Sequence, residues 1–378
     1  MRHLLETVHG LKPVILMILV QFILTGMNIF YKLAANDGMN MRVLVAYRSI
    51  LSAAFTVPLA LIFERKYLTK LTWVIIVEAF FCGLFGATLA QNLYVESLVL
   101  TSATFSVAIT NLCPAVTLIL ATSFGLEKVR LGTTTDKAKV FGILIGIGGA
   151  MVFTFYKGVE IKIWSTNVDL LKHKNHTQLH KDNSTSHHII GSCLAFASCV
   201  CFGMWLIIQS KLSKKFPYHY SSAALMSLMG SIQSVIFALS IDRSWSQWKL
   251  GWNLRLLAAA YSGIVTSGVV LTLIAWCVSL RGPVFVASFN PLCLVLVAIA
   301  GSLMLEEQLH LGSILGAGLI VCGLYILLWG QNKEIKEKAK LLPKDSSSTN
   351  HELLKVVVDD DHGDGNGNAI TTKAESST

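Results

Sequence analysis

Ten apolar runs, each long enough to cross a bilayer as a helix, constrain this sequence more than any other feature. A membrane-spanning helix needs about 20 predominantly apolar residues. The runs lie near residues 13–34, 43–63, 73–94, 102–125, 139–156, 188–210, 220–240, 254–277, 283–305 and 311–330. Backbone amides in hydrocarbon must be hydrogen-bonded internally, and these runs are too long for barrel strands. The sequence therefore predicts an all-α polytopic membrane protein with ten transmembrane helices.

The composition and charge point to the same class. Of 378 residues, 53% are hydrophobic and 14% are charged, whereas an ordinary soluble domain carries about 25% charged residues. The net charge of +9 comes from Lys and Arg that lie between the apolar runs. That distribution sets membrane topology and does not form a phosphate-binding face. We therefore expect a lipid bilayer as partner and no nucleic acid.

Basic residues cluster at one set of helix ends, which the positive-inside rule assigns to the cytosol. With a cytosolic N-terminus, the inner connections hold Arg65, Lys66, Lys70, Lys128, Arg130, Lys137, Lys139, Lys211, Lys214, Lys215 and Arg281. The one long outer connection carries N-x-[ST] sequons at Asn175 and Asn183, which need an outer or lumenal location to be glycosylated. Both signals predict cytosolic N- and C-termini.

The two halves of the chain resemble each other. The matching stretches are 105–111 with 284–290, the Leu-Glu pairs at 126–127 and 305–306, and Gly142 and Gly149 with Gly316 and Gly323. Self-similarity at this spacing indicates duplication. Because five spans is an odd number, the second copy enters the membrane upside down. Inverted repeats of this kind build many secondary transporters, with the binding site near the midplane between the copies.

Enzyme motifs are missing from the sequence. It has no G-x-x-x-x-G-K-[ST] loop, no H-E-x-x-H and no G-x-S-x-G. We therefore expect no enzymatic activity and no cofactor, and we interpret the cysteines of the apolar runs as packing residues. Glu78 lies near the cytosolic end of its span and Glu96 at the outer end. The lack of a carboxylate at the midplane favours facilitated diffusion over a proton relay, with His- or Tyr-based coupling left open.

Polar side chains inside the spans are costly in lipid and tend to face a cavity or a partner helix. The candidates for a substrate cavity are Gln21, Asn28, Tyr47, Arg48, Gln91, Asn92, Tyr94, Asn111, Gln209 and Asn290. Such amides and hydroxyls can bind a zwitterion or a carboxylate, and the alternative is that they hydrogen-bond one helix to another. Arg48 could receive a substrate carboxylate in a bidentate contact. It could equally extend outward or pair with Glu96.

Proline and glycine mark further positions in the repeated spans. Pro114 and Pro291 would free backbone carbonyls beside Asn111 and Asn290, or simply kink the helices for packing. The glycine-rich faces of spans five and ten predict close helix approach, with self-association into a homodimer as the alternative.

The predicted organisation has five parts. These are a cytosolic N-terminus (1–12), a first five-span repeat (13–158), an outer His/Lys-rich loop (159–187), a second five-span repeat (188–331) and a disordered cytosolic tail (332–378).

Short motifs spread over residues 11–331 resemble the plant nodulin-21-like transporters. They include Lys12-Pro13, Gly26-Met27-Asn28, Tyr47-Arg48, Gln91-Asn92-Leu93-Tyr94, Gln209-Ser210-Lys211, Trp276-Cys277, Gly282-Pro283 and Phe289-Asn290-Pro291-Leu292. This group, also called walls-are-thin-related or UMAMIT, belongs to the EamA-like branch of the drug/metabolite transporter superfamily. The resemblance implies two inverted EamA-like repeats and adds the aromatic Trp276 to the candidates. Phe202 and Ile274 depart from it, because the family usually has tryptophan and glutamine there.

The resulting functional expectation is a secondary transporter or facilitator in the plasma membrane. The resemblance implies export or bidirectional movement of amino acids or related small organic solutes, and the repeat predicts alternating access. Alternatives are a transporter of auxin or another metabolite at the vacuolar membrane, and a non-transporting membrane scaffold.

Overall fold

The computed structural model describes residues 2–101, 106, 109–127, 133–156, 158–161, 185–241, 248, 254–304 and 309–341. Within these residues, nine helices are long and apolar enough to cross a membrane. A tenth, shorter apolar helix is Cys113–Ser123. The predicted all-α, ten-span architecture is therefore confirmed.

The spans are numbered here in chain order. Their helices are Arg2–Asn36 (one), Met41–Phe63 (two), Trp73–Cys82, Gly83–Leu89 and Ala90–Leu100 (three), Cys113–Ser123 (four), Thr134–Phe155 (five), Thr185–Lys215 (six), His219–Ile241 (seven), Leu254–Ala260, Tyr261–Val269 and Val270–Arg281 (eight), Pro283–Ala287 and Asn290–Met304 (nine), and Leu311–Leu341 (ten). A short 3₁₀ helix, Arg65–Lys70, follows span two.

Two very short strands join the connections at one end of the bundle. Strand Glu160–Ile161, after span five, pairs antiparallel with strand Leu309–His310, before span ten. Both connections leave the membrane at the end opposite to the N-terminus of span five, so the pairing ties together the last spans of the two repeats.

Several helix ends differ from the predicted boundaries. Span one begins at Arg2 instead of 13, and span six at Thr185 instead of 188. The predicted tail from 332 was wrong for its first ten residues, because the last helix continues to Leu341. That stretch is rich in Lys and Glu, which are good helix formers. The rest of the predicted tail, most of the outer loop, and both sequons at Asn175 and Asn183 lie outside the described residues.

The chain divides into a compact unit, Met1–Gly330, and a second unit that begins at Gln331. Inside the first unit, each of the following contacts between the two repeats has a counterpart between the equivalent spans. Span two contacts span seven, its counterpart in the other repeat. Span three contacts span six as span eight contacts span one, and span four contacts span six as span nine contacts span one. This reciprocal packing is what an inverted duplication produces.

Hydroxyl groups connect spans two and seven at the centre of this arrangement. Ser52 and Ser227 are hydrogen-bonded through their hydroxyls at 2.9 Å, and Ser49 donates to Ser234 at 3.4 Å. Hydrogen bonds between membrane helices contribute about 0.6 kcal/mol each. Small serines also let the two helices approach closely.

Spans three and eight, which occupy equivalent places in the two repeats, share an unusual helix geometry. Each contains a π-helical segment, Gly83–Leu89 in span three and Tyr261–Val269 in span eight. A β-carbon on Gly83 would lie 2.7 Å from the backbone nitrogen of Gly230, so only glycine fits at this crossing. π segments are rare and occur frequently at functional sites.

The glycine-rich faces of spans five and ten pack against each other within one chain. A β-carbon on Gly142 would lie 2.7 Å from the carbonyl oxygen of Gly323, and one on Gly149 would lie 3.0 Å from that of Gly316. The predicted close helix approach is thus intramolecular. Self-association through these spans stays a prediction, and it would have to use other faces of the two helices.

Candidate functional site

A cavity of about 120 Å³ lies between the two repeats. Spans one, two, three, six, seven, eight and nine line it, and Gln21, Gly86 and Thr266 lie near the middle of their spans. The cavity is therefore close to the bilayer midplane. The polar residues on its wall are Gln21, Arg48, Ser49, Ser52, Gln91, Ser227, Thr266, Ser267 and Asn290.

The guanidinium of Arg48 contacts the cavity from the second turn of span two. Its Nε donates to Ser267 Oγ at 2.5 Å, and its Nη1 donates to Tyr31 OH and to Gln91 Oε1 at 3.3 Å each. All three acceptors are neutral. Among the described residues that line the cavity, none is acidic. The cavity therefore holds a positive charge that its own wall does not neutralise.

The alternative pairing of Arg48 with Glu96 was wrong. Glu96 accepts a hydrogen bond from Arg42, one helix turn and a half closer to the membrane surface. Outward extension of Arg48 is also contradicted, because its three hydrogen bonds reach spans one, three and eight in the interior. Arg42 therefore pairs with Glu96 near the membrane surface, and Arg48 faces the cavity.

Three buried polar atoms on the cavity wall have no hydrogen-bond partner among the described residues. They are Gln21 Oε1, Thr266 Oγ1 and Trp205 Nε1, on side chains that are 1%, 1% and 5% exposed. An unsatisfied buried polar group costs about 1–3 kcal/mol. Water or a solute in the cavity would satisfy these groups. The wall thus offers one charged donor, neutral donors and acceptors to a small molecule.

Three of the predicted amides lie away from this cavity and make local hydrogen bonds. Asn28 Nδ2 donates to Leu24 O at 2.9 Å, and Asn92 Nδ2 donates to Thr88 O at 2.8 Å. Gln209 is fully buried, and its Nε2 donates to Ser213 Oγ at 3.3 Å. Asn28 also bonds between helices, because its Nδ2 donates to Cys293 Sγ of span nine at 3.7 Å. Asn92 bonds only within its own helix, and its Oδ1 has no partner among the described residues.

The predicted aromatic residues also lie outside the cavity wall. Tyr47 OH donates to the carbonyl oxygen of Trp248 at 2.5 Å, toward the end of span two that begins at Met41. Tyr94 is partly buried in span three, and Trp276 packs against the largest apolar cluster.

The paired asparagines flank breaks in spans four and nine. The helices are interrupted by turns at residues 111–112 and 288–289, so Asn111 lies in one turn and Asn290 directly follows the other. Asn290 lines the cavity, whereas Asn111 is buried elsewhere, and its Nδ2 has no partner among the described residues. Pro114 and Pro291 border a separate void of about 10 Å³ between spans four, five, nine and ten.

Above and below the cavity, charged groups close the bundle. At one end Arg255 Nε donates to Asp37 at 2.6 Å, which joins span eight to span one. At the other end Lys215 binds Glu78, which joins span six to span three, and Glu64 accepts from the Ser221 backbone amide at 2.7 Å. Each of these contacts links one repeat to the other.

The sequence matches the EamA-like transporter family over residues 11–155 and 189–329, one stretch for each repeat. The chain belongs to this family. The EamA stretches contain all the spans that line the cavity.

Similar plant proteins narrow the group within the EamA family. WAT1-related protein At1g25270 of Arabidopsis thaliana is 47% identical over 86% of this chain and 91% of its own length. WAT1-related protein At1g68170 of the same plant is 43% identical over 92% of this chain and 97% of its own length. The resemblance to the plant walls-are-thin-related transporters is therefore confirmed.

A solved crystal structure has the same overall fold. It superposes with a TM-score of 0.62 at 14% identity and covers 85% of this chain and 98% of the other.

Several residues that line the central cavity were not predicted from the sequence. Trp205, Thr266 and Ser267 line it but were not among the candidates. Hydroxyl residues are common in membrane helices, so they carry little signal by themselves. A useful signal was the departure from the family pattern, because Phe202 and Ile274 both lie on the cavity wall.

Proposed function

We propose that this EamA-family membrane protein is a secondary transporter or facilitator of amino acids or related small carboxylate-bearing solutes. The observation that carries the proposal is Arg48, which presents an unneutralised cation to a midplane cavity. Its planar guanidinium matches the geometry of a carboxylate. A solute carboxylate would replace neutral acceptors with a charge-assisted one, a stronger hydrogen bond.

The rest of the wall suits the other end of an amino acid. Gln21 Oε1 and Thr266 Oγ1 are buried acceptors without partners among the described residues. They can accept hydrogen bonds from an ammonium group without the tight pairing that a carboxylate would impose. A cavity of about 150 Å³ holds a benzene-sized molecule, so the volume of about 120 Å³ suits a small solute.

The proposed mechanism is alternating access by relative movement of the two repeats, with export or movement in both directions. The cross-repeat contacts at both ends, Asp37 with Arg255 and Glu78 with Lys215, would open in turn. Because no acidic residue is found on the described cavity wall, we propose facilitated diffusion without proton coupling.

We further propose the plasma membrane as location, with cytosolic N- and C-termini. The basic residues at the inner helix ends support this orientation. The vacuolar membrane is the alternative location.

An aromatic carboxylate, such as auxin, is the second candidate substrate. The cavity wall includes Trp205 and Phe202, whose rings lie 5.4 Å apart and could stack on an aromatic solute. Such a solute is larger than the present cavity, so it would require an opened state.

Reconstitution into proteoliposomes tests the proposal. We expect saturable flux of a labelled amino acid in a panel that also contains an aromatic carboxylate and an organic cation, with no flux of the cation. An imposed proton gradient should leave the rate unchanged. Flux of none of the carboxylate solutes would overturn the proposal, and a rate that follows the gradient would overturn the facilitated mechanism.

A further inference from the structure

An open groove runs along the outside of the bundle between spans five and ten. It has a volume of about 700 Å³ and lies beyond the glycine contacts that hold these two helices together. Phe141, Leu144 and Tyr325 line it and are more than half exposed, so in a membrane they face lipid. The groove is separate from the central cavity and shares no residue with it.

A single basic residue, Lys137, lies at one end of this groove among its described lining residues. It is exposed in the first turn of span five, and no carboxylate among the described residues pairs with it. The neighbouring Asp136 is buried on the inner side of the helix, 4.0 Å from Lys139. The groove therefore has a cationic end at the membrane surface and an apolar body.

The length of the groove corresponds to one leaflet. From Thr134 to Leu144 the helix rises about 15 Å at 1.5 Å per residue, half of the roughly 30 Å hydrocarbon thickness. Trp329 lies on the wall of span ten, and tryptophan is typical of the headgroup level. A molecule with a negative headgroup and an acyl chain would match the groove along its whole length.

We propose that this groove is a binding site for an anionic phospholipid, with its phosphate at Lys137 and one acyl chain along Phe141 and Leu144. In the proposed orientation the headgroup belongs to the cytosolic leaflet, which is rich in anionic lipids.

A second copy of the chain fits this groove less well. A two-fold symmetric dimer brings the same patch of both copies together. On spans five and ten the described exposed residues between Lys137 and Trp329 include no acidic side chain. A dimer through this face would therefore bring lysines together without a counter-charge.

Native mass spectrometry of the purified full chain tests the site. The protein is exposed to phosphatidylserine and phosphatidylcholine with identical acyl chains, and the retained lipid is measured. We expect wild type to retain phosphatidylserine preferentially. Lys137→Ala should lower that preference about fivefold, the effect of one basic residue at an anionic surface, and Lys137→Arg should keep it. Lys214→Ala, an exposed lysine at the end of span six, serves as the matched control.

A second variant tests the apolar body of the site. Leu144→Trp fills the groove and should lower retention of both lipids in a protein that is otherwise folded. Equal retention of the two lipids by wild type would overturn the proposal, as would a preference that survives Lys137→Ala. A loss of dimer instead of lipid in the Leu144→Trp protein would assign the groove to a second copy and also overturn it.

Discussion

Charged residues in the middle of the helical bundle have different partners from those at its two ends. At the ends, the cations that link the two repeats meet carboxylates, as Arg255 meets Asp37 and Lys215 meets Glu78. In the middle, Arg48 meets only hydroxyls and an amide. An uncompensated charge is costly in a low-dielectric interior and persists where function requires it. The difference separates contacts that hold the repeats together from a charge that we propose binds the solute.

The largest expected effect comes from removing the central charge. Arg48→Gln keeps hydrogen-bonding capacity but loses the cation, so flux of a carboxylate solute should fall about 10- to 100-fold, the value of a charge-assisted hydrogen bond. Arg48→Lys keeps the charge without the planar fork and should be intermediate. Flux per molecule of membrane-inserted protein is the measurement. If Arg48→Gln left the flux unchanged, Arg48 would have a structural role, like the charged residues at the ends of the bundle.

The second effect comes from filling the cavity without changing its charge. A β-carbon on Gly86 would lie 2.7 Å from the indole of Trp205, so Gly86→Ala must displace that ring. Overpacking of this kind costs about 1–3 kcal/mol. We expect the solute to bind about tenfold more weakly. Flux should therefore fall about tenfold, with larger solutes affected most. Gly148→Ala, where nothing lies within 4 Å, is the matched control. Equal losses in both variants would contradict the role of the cavity.

The sequence predicts the spans and the repeats, but only part of the cavity wall. Hydropathy predicts the spans because lipid requires helices of a fixed length, and the matched motifs predict the repeats. Arg48 and Gln91 were recognised because charged and amide groups are rare at that depth. Gln21 and Gln209 could not be told apart. Both are amides in apolar helices, but one faces the cavity, and the other is enclosed between Cys82 and Ser213. A helix that is apolar all round gives no signal of its rotation.

Weakening an end contact should produce a smaller effect on one side of the membrane. Asp37→Asn removes a partly exposed cross-repeat ion pair worth about 0.2–1 kcal/mol, which shifts the balance between open and closed states up to about fivefold. We expect faster labelling of Cys82, a cavity residue, by an impermeant thiol reagent added from outside. Lys215→Gln should have the same effect from the cytosolic side.

The control for this experiment is Cys82→Ser, which should abolish the signal of the cavity thiol. Labelling that increases on the side opposite to the broken pair would reject the proposed orientation. Labelling that increases on neither side would mean that these pairs do not restrain the repeats.

The smallest effect is expected from the outer ion pair that does not cross the repeats. Arg42 binds Glu96, but spans two and three belong to the same repeat, so this contact would move with it as one body. Arg42→Gln should lower the free energy of unfolding by less than about 1 kcal/mol and leave Cys82 labelling at the wild-type rate. Thermal unfolding and labelling measured beside Asp37→Asn check both points. If Arg42→Gln opened the cavity as much as Asp37→Asn, both outer ion pairs would restrain helix ends to the same extent. The cavity would then open by local bending of single helices instead of by movement of one repeat against the other.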